Sequence, residues 1–146
     1  MSAMIELIQD TNRLEGTAYF ELLPGMYRNK CWNRGSVFLN EENFGYIEPM
    51  VESCVEKYDH YSFVEVNRDK CEKILAQLLS LKRAVNESDS IDDLDGKIGF
   101  FFADTRERFA KEFDKNKRDL ERMLSGLAGW IRQTIKEHER ISILGL

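Results

Sequence analysis

Few residues in this 146-residue chain could do chemistry, and His60 is the first of them, because only two histidines are present. It stands in Tyr58-Asp59-His60-Tyr61, where an acid beside an imidazole looks like a fragment of a general-base arrangement. Adjacent residues on an extended chain point to opposite faces, so Asp59 and His60 do not easily share a hydrogen bond, and a turn role is expected. Cys31, Cys54 and Cys71 are odd in number and widely spaced, which fits neither a disulfide framework nor a metal-binding pattern. They read as reduced thiols, mostly buried. Glu41 with Glu42, or Asp92 with Asp93, could form an acid/base pair, but adjacent acids in a polar context read as a helix start and a loop.

Phosphate-binding glycine loops, a zinc-protease helix and a nucleophile elbow are all absent from the sequence, so no catalytic residue, metal site or cofactor is expected and an enzyme is disfavoured. The formal charge is −5, distributed as −5 over residues 1–60, −2 over 61–103 and +2 over 104–146. This acidity argues against a nucleic-acid partner. No apolar run reaches the ~18 residues of a membrane span, and the N-terminus lacks the basic and apolar regions of a secretory signal. A cytoplasmic location is therefore expected.

These residues need elements to hold them. Asn33 to Met50 is the organising stretch: a turn at Asn33-Arg34-Gly35, a strand at Ser36 to Leu39, and Asn40 with Glu41 and Glu42 opening a helix. Gly45 and Pro49 interrupt that helix, and a second helical piece is expected from Pro49 with Val51, Cys54, Val55 and Tyr58 on one face. Before it come an apolar start at Ala3 to Ile8, a strand at Thr17 to Leu23 closed by Pro24-Gly25, and an aromatic, basic segment from 26 to 35 without clear period. After it, Tyr61 to Val66 reads as a strand. Asn67 caps a helix to Val85 whose inner face is Cys71, Ile74, Leu75, Leu78, Leu81 and Val85.

Beyond an acidic run at Asn86 to Gly96, Lys97 to Ala103 (KIGFFFA) reads as a buried strand, with Phe100 to Phe102 in the core. Asp104-x-x-Glu107 reads as a capping pair for a helix with Phe109, Phe113, Leu120 and Leu124 inward. Gly126 and Gly129 should break it before a shorter helix with Trp130, Ile131 and Ile135. Ile141 to Leu146 closes the chain as a strand. The sum is a single α+β domain over 1–146, with a mixed or antiparallel sheet of four to five strands and helices packed on it.

Asn33 to Phe38, Phe44 to Pro49 and Tyr58 to Phe63, with a smaller contribution from Ile141 to Leu146, resemble the small bacterial immunity proteins that accompany polymorphic and contact-dependent growth inhibition toxins. The resemblance implies a toxin inhibitor without catalysis, which binds a cognate toxin domain, often a basic nuclease, and blocks its active site or an essential surface. A small-molecule-binding or regulatory adaptor domain is the alternative. Under the first reading the interface falls on the acidic residues Glu87, Asp89, Asp92, Asp93 and Asp95, extended by Glu41 and Glu42, which would steer a basic partner. Tyr27, Trp32 and Tyr46 would anchor it, with a core role equally open to Trp32.

Overall fold

The computed structural model describes residues 4–146. Of the apolar start at Ala3 to Ile8, Ala3 lies outside the described residues. The protein has an α+β fold, a four-stranded antiparallel sheet with helices packed on one face. The strands are β1 (Tyr19–Pro24), β2 (Val37–Asn40), β3 (Phe63–Asn67) and β4 (Arg140–Leu144), in the spatial order β2-β1-β4-β3. The closing strand thus lies between the first and third. Main-chain bonds from Ile8 to Phe38 (2.9 and 2.8 Å) cover the β2 edge, while β3 forms the other edge of the sheet.

Period-two alternation sorts the strand residues between two environments. Phe20, Leu22, Val37, Leu39, Val66, Ile141 and Ile143 face the helices and form the core with them. Glu21, Leu23, Phe38, Ser142 and Leu144 are also buried but point the other way, where the segment from Gly25 to Ser36 covers them.

Helix α1 (Glu41–Cys54) begins at Asn40, whose side chain accepts from Asn43 N at 2.8 Å, and runs through Pro49 without a break. The expected restart at Pro49 does not occur, because the residues that would have to move apart, Phe44, Ile47, Met50, Val51 and Cys54, are all buried in one core. Proline returns no N–H to Gly45 O. The chain at Gly99 crosses the helix at that point and donates its own N–H to Tyr46 O at 3.2 Å. Tyr58 lies beyond the helix, so the expected four-residue face ends at Val55.

Helix α2 (Arg68–Glu87) starts at the Asn67 cap (Lys70 N, 2.9 Å) and buries Cys71, Ile74, Leu78, Leu81 and Val85. The segment Lys97 to Ala103 is not a strand. Its three phenylalanines meet three different surroundings, where a strand offers only two faces: Phe100 packs on the core, Phe101 stacks on His60 and Phe102 is exposed.

The last helical region divides earlier than its glycines suggest. Helix α3 (Thr105–Lys111) ends at Glu112, which leaves helical geometry at φ −126° and ψ 52°. There Asn116 Nδ2 donates to the carbonyls of Arg108 (3.4 Å) and Phe109 (3.1 Å) that the broken helix leaves open. Helix α4 (Phe113–Glu137) then continues through Gly126 and Gly129. Its buried stripe of Leu120, Met123, Leu124, Leu127, Ile131 and Thr134 lies on both sides of the glycines, and packing against α2 outweighs their propensity cost. Asp104 is not a cap: its carboxylate accepts from Arg108 Nε at 3.0 Å. Asp93, in the acidic run, caps a different element, the short 3-10 turn at Ile91–Leu94, where it accepts from Asp89 N (2.8 Å) and Ser90 N (3.3 Å).

A Cβ on Gly99 would run into Gly45 O and come within 3.0 Å of Pro49 Cδ, whereas one on Gly129 would meet nothing within 4 Å. Gly129→Ala is therefore expected to stabilise by about 1 kcal/mol, and Gly99→Ala to destabilise by about 2 kcal/mol through overpacking against backbone. Urea unfolding of both variants checks the pair, and equal midpoints would contradict the α1 crossing.

Candidate functional site

Three clusters of side chains stand apart from the core packing, and each is organised by a carboxylate. Glu21 on β1 is buried at 3% exposure. Its Oε1 accepts from Trp32 N (2.6 Å), and its Oε2 accepts from Asn33 N (3.0 Å), Asn33 Nδ2 (3.0 Å) and Ser36 Oγ (2.6 Å). All four donors are neutral. They fold the covering segment down onto the sheet and hold Trp32 at φ +62°, a left-handed conformation that a bulky side chain adopts only under outside constraint. Beside them is a cavity of about 350 Å³ lined by Tyr19, Glu21, Cys31, Trp32 and Phe63.

Glu42 on α1 is buried at 5%. It accepts from Thr105 Oγ1 (2.6 Å) and pairs with the Arg108 guanidinium, whose Nη1 lies 3.2 Å from Oε1. This fastens α3 to α1. Burial raises the Tyr46 hydroxyl beside this pair above the ordinary tyrosine range, and the Glu42 charge adds to the effect.

The third cluster holds His60. Its Nε2 lies 2.8 Å from Glu41 Oε2 and its Nδ1 lies 2.6 Å from Glu48 Oε2, which also accepts from Tyr58 Oη at 2.7 Å. Its ring stacks on Phe101, with centroids 5.2 Å apart and planes 2° from parallel, and meets Phe20 and Tyr61 edge-on. Helical spacing explains the pair of acids, since residues seven apart return to one face. Where both carboxylates are ionised, both ring nitrogens must donate, and the ring is then the imidazolium with no free lone pair to act as a base. The two acids sit at opposite nitrogens and offer no common point for one metal ion. His60 is thus more than a turn residue: it clamps the Tyr58 to Tyr61 loop to α1. Its partners lie 12 and 19 residues away, so Asp59, the neighbour in sequence, gave no hint of them.

The expected interface residues separate into three groups. Glu42 and Tyr46 are buried, so neither offers a surface to a partner, and Glu41 is engaged with His60. In the acidic run all five side chains are exposed. Even so, Arg106 binds Asp92 (2.6 Å) and Asp95 (2.7 Å), and Asp93 turns back on its own loop, which leaves Glu87 and Asp89 as its outward acids. Tyr27 and Trp32 are at the surface, Tyr27 edge-on to Phe63 at 4.9 Å. What sequence reasoning missed is Phe63, exposed beside both of them, and a second exposed set around His60 made of Tyr61, Phe101 and Phe102. The aromatic run at 100–102 was the signal, read as core because a strand was expected there.

No family model, curated protein or solved structure matches this chain. Among the described residues, no helix is long and apolar enough to cross a membrane.

Burial opposes the charged form of His60, but the hydrogen bonds to Glu41 and Glu48, together with their charges, outweigh it, so its pKa stands above the ordinary 6.5. The clamp's stabilisation is then fully present below 6.5 and is lost as pH rises through the higher folded value. NMR titration should place the His60 midpoint above 6.5. Melting temperatures of the wild type should fall toward those of His60→Asn as pH rises above 6.5. A midpoint at or below 6.5 would contradict the clamp.

Proposed function

We propose that this chain is a protein-binding inhibitor of the immunity class, which acts by covering a surface of a toxin domain and carries out no reaction of its own. The observation that carries this reading is the group of exposed aromatics on loops and the β3 edge. Tyr61 is 70% exposed, Phe63 47%, Phe102 45% and Trp32 41%. An apolar ring left in water forgoes up to about 1.5–3 kcal/mol that full burial would contribute, and groups of such rings mark contact surfaces. Aromatic side chains also dominate interface hot spots. An acid borders the group: Asp59, exposed two residues before Tyr61, accepts from the Tyr61 N–H, so a basic partner is favoured. His60, with both ring nitrogens occupied, supports a binding role over a catalytic one.

The test is a titration against the variable C-terminal domain of a secreted protein encoded immediately upstream, followed by surface kinetics. Tyr61→Ala with Phe102→Ala should weaken binding about thirtyfold, mostly through faster dissociation. Glu87→Gln with Asp89→Asn should slow association at low salt only. A neighbouring metabolic operon, or a neighbouring toxin domain that binds the aromatic double variant as tightly as the wild type, would overturn the proposal.

A further inference from the structure

We infer that the cavity between β1, β3 and the covering segment receives a guanidinium group, supplied by an arginine side chain of the bound partner. This rests on the protein-binding reading and names what the partner must present. Glu21 is the single charged group in the cavity lining, and its four hydrogen bonds come from neutral donors. Those donors carry no formal charge and so leave the carboxylate's own charge uncancelled. Its Oε1 accepts only one of the four bonds and retains acceptor capacity. Tyr19, Trp32 and Phe63 contribute the walls, and aromatic faces carry negative potential of their own.

Low-dielectric walls and one sign of charge favour a cation inside. A planar guanidinium suits this cavity better than a compact ammonium, because it stacks on rings and is less strongly hydrated. The covering segment's own arginines do not fill it: Arg28 and Arg34 line a different cavity, with Pro24 and His138. About 350 Å³ is ample for one such side chain.

The test needs no partner. The full chain is titrated with N-acetylarginine methylamide, with its neutral citrulline counterpart and with tetramethylammonium, and the Trp32 and Asn33 amide signals are followed by NMR. The arginine probe should produce saturable shifts confined to the cavity, and the citrulline probe none. Phe63→Ala, at an exposed position, should weaken the arginine probe about fivefold with the remaining spectrum unchanged. Glu21→Gln should abolish its binding. Shifts from citrulline equal to those from arginine, no saturable shift from arginine, or binding of tetramethylammonium alone would each overturn the inference. If the arginine probe fails while Tyr61→Ala with Phe102→Ala still releases a neighbouring toxin domain, the inhibitor reading stands and only the cavity's ligand is wrong.

Discussion

A carboxylate withdrawn from water must find donors, and this structure is assembled around four that do so across long stretches of chain. Glu21 draws in the segment at Trp32 to Ser36, Glu42 draws in α3 through Thr105 and Arg108, and Glu41 with Glu48 draws in the loop at Tyr58 to His60. Sheet pairing reaches none of these segments except at the loop's end, where Leu146 N donates to His60 O at 3.1 Å. Leaving the donors or the acid unpaired costs on the order of 1–3 kcal/mol for each buried group, more where the group is charged. The loops are therefore fixed by side-chain acceptors in the way that strands are fixed by backbone.

Three of the four acids project from α1, which makes that helix the strut between sheet, loop and α3. Its passage through Pro49 follows from the same role. A helix held on several sides tolerates the loss of one internal hydrogen bond, and the crossing chain at Gly99 uses the close approach that Gly45 permits. This also changes the meaning of the charge distribution. Of the acids that give residues 1–60 their charge of −5, Glu21 and Glu42 are buried and Glu41 and Glu48 are bound to a cationic ring. The outward field is accordingly weaker than the sequence sum implies, and under the proposed inhibitor reading specificity would come more from shape and aromatic contact than from long-range attraction.

Elements whose signals lie within one or two turns were legible from sequence. Asn40 and Asn67 are caps because a side-chain acceptor precedes free N–H groups. The α2 stripe is a 3.6-residue pattern, and the strands at β1, β2, β3 and β4 follow composition and turn chemistry. The failures have a common cause. Asp104-x-x-Glu107 has the spacing of a cap, but Arg108 competes for the Asp104 carboxylate. KIGFFFA has strand composition, but α1 already occupies the space beside it and the chain crosses the helix instead of pairing. Gly126 and Gly129 weaken a helix locally, and tertiary packing on α2 overrides them. The candidate surface was half legible for the same reason: Tyr27 and Trp32 stand out as aromatics in an irregular segment, whereas the burial of Glu42 and Tyr46 depends on Arg108 and Phe109, more than sixty residues further on.

The exposed aromatics follow from a sheet that carries its helices on one side only. Each strand has two faces, and with the helices on one of them the other must be covered by something less regular. Along β1 and β4 the Glu21-bound segment supplies that cover, and Leu23, Ser142 and Leu144 are buried beneath it. At β3 the cover ends: Val64 and Val66 pack inward, while Phe63 on the opposite face has only Tyr27 at its edge. An apolar ring on an uncovered edge strand is a liability for an isolated chain, because it invites nonspecific pairing. Under the proposed inhibitor reading, the same ring beside a cavity whose lining holds one buried charge would suit a partner that brings both apolar surface and a cation. The one-sided sheet thus leaves part of one face to irregular cover, and Glu21, through the segment it holds down, decides how much of that face is covered.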